Sequence, residues 1–167
     1  MKEDQEMPQT VRAALDAFLT KNGFTTDAYT APTVEIPMRF FTVRLPNTDG
    51  RKKVVPWHDL HHVATGYGTD LVGEAEIGAW ELRAGCTTVA AWVYNLMAVA
   101  TGLFLAPVRV TRAFRDAKGQ TTLYRLALGY DEALALPVEE LRSRMGLPPA
   151  GAATRPARLH AAAAQRA

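Results

Sequence analysis

Three of the four histidines in the chain fall within five residues, in the run HDLHHVATGYGTDLVGE that extends from His58 to Glu74. On an α-helix each residue advances by about 100°, so His58 and His62, four apart, face the same way. His61 turns to the other side. Two imidazoles at that spacing can reach one divalent cation, and Asp59 beside them can join as a ligand or orient a ring by accepting its second N–H. That is half of a metal site. The other half needs a second element, and Glu74, eleven intervening residues after His62, supplies a carboxylate beyond a glycine-rich break. A turn at Gly66-Tyr67-Gly68 lets a second helix fold back so that Glu74 meets His58 and His62. Two neutral histidines and two carboxylates would balance a dication, a donor set for zinc, iron, manganese or cobalt rather than calcium.

Other uses of the same letters weigh against this. Neighbouring histidines are often plain surface residues, and HDxxH alone is a weak signal. Phosphohydrolases built on a histidine-aspartate dyad need an upstream histidine, and none precedes His58. Ferritin-like di-iron centres need two carboxylate-x-x-His motifs with further glutamates. Only Asp59-x-x-His62 is present.

The pattern His-Asp-x-x-His, eleven residues, then Glu resembles the signature of the ubiquinone (coenzyme Q) biosynthesis protein four family, met here by His58, Asp59, His62 and Glu74. The run HDLHHVATGYGTDLVGEAEIGAWEL and the ending PVEELRSRMGL are similar to that family over Val54 to Leu147, strongly in the first third and loosely after it. The resemblance implies a mainly helical fold and a divalent metal, zinc before iron, manganese or cobalt, held by those four residues. It also implies a hydrophobic groove for a prenylated or quinone-like molecule, partner proteins of a biosynthetic complex, and oxidative removal of the C1 carboxyl group of a polyprenylated aromatic precursor. The chain departs from the family in its short length, in the region Thr25 to Lys53, and at WELRAGC. Two other functions stay open beside a metal-dependent decarboxylase or lyase. One is a non-catalytic lipid-binding or scaffold protein; the other is a relative recruited to specialised metabolism.

Around the motif, Tyr67 sits in the glycine turn and is expected near the metal. Trp92, Asn95 and Met97, with Tyr94, Leu103 and Phe104, are spaced to line a groove, although such a set at helical spacing also suits plain core. An amide at Asn95 in so apolar a helix needs a partner, and a helix-to-helix hydrogen bond is favoured over a substrate contact. Glu81 returns to the face of Glu74 seven residues on; a solvated helix face is favoured for it over an acid–base role. Cys86 reads as a small buried hydrophobe, with no histidine near it in sequence.

The elements that must position these groups read as helices. The spacing of Val11, Leu15, Phe18 and Leu19 predicts a first amphipathic helix stopped at Asn22-Gly23. From Thr25 to Lys53 prolines and turn residues leave an irregular extended segment, with MRFFTV strand-like and no sheet assigned. A short helix starts near Pro56, a second follows Thr69-Asp70 and closes at Gly85, and the uncharged stretch Ala84 to Val108 forms a central buried helix in preference to a membrane span. The run from Val108 to Leu136 reads as helical with a kink or join at Gly119, and a last helix has Pro137 at its first position and Gly146 at its C-cap. The fold class is therefore mainly α: a compact single-domain helical fold, residues 1–148, with an irregular extended segment before the metal-motif helix. Residues 149–167, rich in Ala and Arg, read as a mobile tail.

With 167 residues, 48% hydrophobic and 22% charged, the chain is sized and composed for one folded domain. Its net charge of +2 lies partly in Arg155, Arg158 and Arg166, and no basic stripe with aromatics points to nucleic acid. One cysteine excludes an internal disulfide, and the polar start MKEDQEMPQT carries no signal peptide. The expectation is a cytoplasmic protein with at most peripheral membrane contact.

Overall fold

Capping residues set the helix boundaries in the computed structural model, which describes residues 8–37 and 42–153. The first helix, α1 (Val11–Asn22), begins where Thr10 accepts the Ala13 N–H, and it ends at Gly23 in the left-handed region at φ 69°. The second, α2 (Asp49–Thr65), starts seven residues before Pro56, because the Thr48 side chain accepts the Arg51 N–H and opens the helix there. Pro56 therefore lies inside α2 rather than in its first turn, where it withholds one backbone donor. The longer helix gives the motif residues a rigid base.

Gly66 closes α2 at φ 80°, and the chain turns into α3 (Leu71–Ala84), whose N-cap is Asp70 accepting from the Val72 and Gly73 N–H groups. After Thr88 comes α4 (Val89–Leu105), then α5 (Pro107–Asp116), α6 (Tyr130–Ala135) and α7 (Val138–Arg144). The run expected to be one kinked helix after Val108 is three pieces: α5 stops at Asp116, short 3₁₀ structure occupies Leu123–Arg125, and α6 restarts at Tyr130. Gly119, at φ 83°, stands in the turn that separates them. Pro137 is the N-cap of α7 rather than its first residue, and Gly146 follows the C-cap Met145.

The region without an assigned sheet contains one hairpin. Strand β1 (Thr33–Pro37) pairs antiparallel with β2 (Thr42–Pro46), with Thr33 opposite Pro46 and Glu35 opposite Arg44. Glu35 and Arg44 form a cross-strand ion pair, a pairing that sequence periodicity hid because prolines end both strands. Of the strand-like run MRFFTV, Met38 to Phe41 lie outside the described residues.

Every helix except α4 contributes fully buried residues to one core, centred on Leu60, Ile77, Trp80, Leu123, Leu141 and Met145. The uncharged α4 is thus not the central buried helix. Its buried residues are small or polar, Ala91, Asn95 and Gly102, while Phe104 is 91% exposed, Met97 64% and Trp92 45%. Backbone closeness explains the inversion. Gly102 lies against Ala75 and Gly78 against the Asn95 backbone, so α3 and α4 meet through their smallest residues and the bulky ones face outward. Among the described residues no helix is long and apolar enough to cross a membrane.

The first residues of the expected tail pack on the body. Ala152 is buried in the core cluster, the Ala153 N–H donates to the Thr65 carbonyl, and Arg142 reaches the Pro149 carbonyl. Residues 154–167 lie outside the described residues.

Candidate metal centre

The turn between α2 and α3 decides where Glu74 goes. An ideal Cβ on Gly73 would run into the backbone of Gly68, so only glycine lets the first turn of α3 close against the loop that precedes it. Glu74 follows directly. Gly73→Ala is expected to destabilise the protein by about 1–3 kcal/mol, because a backbone rather than a flexible side chain must yield. It should also weaken metal binding by displacing Glu74. Urea unfolding and zinc titration of the variant check both, and a wild-type result in each would show that the loop yields without strain.

His58, His62 and Glu74 converge: each offers a ligand atom, and these atoms lie within 4.8 Å of one another. The two Nε2 atoms are 3.2 Å apart, and each lies 3.3 Å from a Glu74 oxygen. Their other nitrogens are already engaged. His58 Nδ1 lies 2.7 Å from Glu81 Oε1, and His62 Nδ1 lies 3.0 Å from the Tyr67 carbonyl oxygen. Both partners are acceptors, so each Nδ1 carries the proton and each neutral ring turns the lone pair of Nε2 inward. Two lone pairs and a carboxylate then face one another with no hydrogen between them. Such a cluster requires a cation, either a proton or a metal ion.

The electrostatics of the metal-free protein agree. Burial opposes a charge on His58, but the Glu81 and Glu74 carboxylates outweigh it and raise its pKa well above the ordinary histidine value. Burial also opposes ionisation of Glu74, yet the neighbouring imidazoles of His58 and His62 hold it down to about 2. Without metal a proton fills the gap. A divalent ion would displace it with a second charge, and the donor set, two imidazoles and a carboxylate, suits such an ion. Glu74 is the open side, 38% exposed, while His62 is buried beneath the stacked ring of Phe18.

Asp59, the remaining residue of the motif, is not among the three convergent groups. Its Oδ2 accepts the Tyr29 hydroxyl at 2.6 Å, and burial raises its pKa against the pull of that hydrogen bond. Tyr29 lies in the irregular segment, where no sequence pattern marks it.

Glu81 corrects the expectation of a solvated face. It is fully buried, with Oε1 2.7 Å from both His58 Nδ1 and His61 Nδ1, and Oε2 accepting the Asn95 amide at 2.6 Å. Burial opposes its charge, but the imidazoles of His58 and His61 hold its pKa well below the carboxylate range. Asn95 therefore makes the expected helix-to-helix hydrogen bond, from α4 to α3. Its amide also lies 3.3 Å from Cys86 Sγ, and burial pushes that thiol up to about 11, in keeping with an unreactive cysteine.

The expected groove lining of Tyr67, Trp92, Asn95 and Met97 is divided. Asn95 borders a cavity of about 190 Å³ that His58 and Glu74 also line, together with Val54, Ala91 and Tyr94. Trp92 and Met97 stand apart from it on the open face of α4. Tyr67 is buried on the far side, where it lines a cavity of about 480 Å³ with Phe18, Lys21, His62 and Arg142.

Comparisons with protein-family models, with curated proteins and with solved structures find no match.

Proposed function

We propose that this chain is a metal-dependent protein of the ubiquinone-biosynthesis type, which takes a polyprenylated aromatic or quinone-like molecule at a membrane surface. The observation that carries the reading is the set of three facing acceptors at His58, His62 and Glu74, which opens through Glu74 beside a cavity that Tyr94 shares with the exposed apolar face of α4. A polar reacting group and a long apolar tail need those two environments side by side. Zinc is the first candidate for the ion, ahead of iron, manganese and cobalt; His58, His62 and Glu74 would hold it, with Asp59 added by the resemblance.

Bound there, the ion would supply Lewis acidity toward a carboxylate or phenolate oxygen. The chain's own residues do the rest. Glu74 borders the entrance, and the 190 Å³ cavity is large enough for an aromatic head but not for a prenyl tail, which is left to the outer face of α4. The exposed apolar residues there also support the second reading, a carrier or scaffold that presents a prenylated intermediate to partner enzymes.

The test is to incubate metal-loaded protein, under air, with a prenylated 4-hydroxybenzoate labelled at the carboxyl carbon. Binding with release of labelled carbon dioxide supports the enzyme, and binding without release supports the carrier. If the protein binds neither metal nor the prenylated acid, the reading fails.

A further inference from the structure

We propose that Glu81 is a positioning residue of the metal site, which accepts the Nδ1–H of His58 and thereby turns the lone pair of His58 Nε2 toward the ion. The proposal rests on the metal-site reading above and deepens it.

A fully buried carboxylate is costly unless its oxygens are hydrogen-bonded, so each partner of Glu81 has to be accounted for. Three of them anchor it to the fold. Asn95 of α4 donates to Oε2 at 2.6 Å, and the Tyr124 hydroxyl lies 3.4 Å from the same oxygen. His61 donates to Oε1 at 2.7 Å, and the tautomer of His61 is fixed in turn, because its Nε2 accepts the Leu123 N–H at 2.9 Å. The fourth partner, His58 Nδ1 at 2.7 Å, is the one that faces the site.

The division of labour between the two histidines follows. His62 is oriented by a backbone carbonyl, that of Tyr67, whereas His58 is oriented by a charged side chain. A carboxylate on the far nitrogen fixes the ring, assigns its tautomer and makes the metal-facing nitrogen more basic. Glu81 also completes the charge balance. With both histidines neutral, the two charges of a divalent ion are met by Glu74 at the ion and Glu81 one imidazole away, a role that the sequence pattern gave to Asp59. The link from Leu123 through His61 and Glu81 to His58 ties the site to the core beneath it.

Glu81→Gln keeps the shape and one acceptor oxygen but removes the charge. Zinc affinity, read by competition with a chromophoric chelator, is expected to fall by about 10–100-fold. Urea unfolding in excess chelator should change far less, which separates positioning from a merely structural part. The second measurement needs no variant: histidine ¹⁵N NMR of the zinc-loaded wild type should show His58 bound through Nε2 with a proton on Nδ1. Wild-type zinc affinity in Glu81→Gln, or a His58 bound through Nδ1, would overturn the proposal while leaving the metal site in place. If Glu81→Gln does not fold, the NMR result on the wild type decides. A wild type that binds no zinc overturns the metal reading, and this proposal with it.

Discussion

His62→Ala is expected to reduce the metal-to-protein ratio of the zinc-treated protein from near one to near zero. The three convergent groups leave no spare ligand: His62 Nε2 is 3.2 Å from its counterpart on His58 and 3.3 Å from Glu74. Removing it leaves one imidazole and a partly exposed carboxylate. The loss of affinity should therefore exceed the roughly 10–100-fold that an orienting partner commands. A second readout makes the result specific. Zinc is expected to raise the melting temperature of the wild type by mass action and chelation to reverse that gain; in His62→Ala neither treatment should move the midpoint. The metal-free variant loses the stack on Phe18 and the bond to the Tyr67 carbonyl, a cost of about 1–3 kcal/mol that should leave it folded. A wild type without stoichiometric metal would sink the site. So would a variant that keeps its metal.

Much of this arrangement is legible in the sequence, for a reason that also marks the limit. His58 and His62 are four residues apart on one helix, and Gly66 and Asp70 are strong stop and start signals, so the reversal that brings up Glu74 follows from local chemistry. What is not local is harder to read. The start of α2 depends on whether Thr48 or Pro56 opens the helix, and the cap at Thr48 prevails over the interior proline. Glu81 looks like an ordinary charged helical residue until His61, Asn95 and Tyr124 arrive from three other segments. The signal available was its spacing, seven residues after Glu74 on the same helical face, combined with a polar Asn95 in an otherwise apolar stretch. The apolar letters of α4 mislead in the opposite direction. Hydropathy predicts burial, but Gly78, Gly102 and Ala75 draw the helix backbones together and leave the large side chains outside.

His61→Ala is expected to destabilise the metal-free protein by about 3–5 kcal/mol, the sum of a buried cavity and stranded polar partners. Helical geometry alone places His61 off the metal face and predicts only that its removal leaves metal binding nearly intact. The structure assigns it a different task. His61 is fully buried, its ring packs edge-on against Trp80 and Tyr124, and it bridges Glu81 and the Leu123 N–H. Truncation leaves that N–H without its partner and takes one donor from a buried carboxylate. For a domain of ordinary stability, about 5–15 kcal/mol, this is a large fraction. Zinc affinity should fall by only about tenfold, since Glu81 retains its contact with His58. The pH dependence identifies the cause. Burial lowers the pKa of His61 against the pull of Glu81, so the folded protein keeps the ring neutral where the unfolded chain would protonate it. The stability contributed by the neutral ring is present above about pH 6.5, the ordinary histidine value, and is lost as the pH falls below it. The advantage of wild type over His61→Ala, measured by urea unfolding in chelator, should accordingly be larger at pH 8 than at pH 5.5. An advantage that does not change with pH would mean that the ring is not buried neutral. No advantage at either pH would remove the link between the core and the metal site.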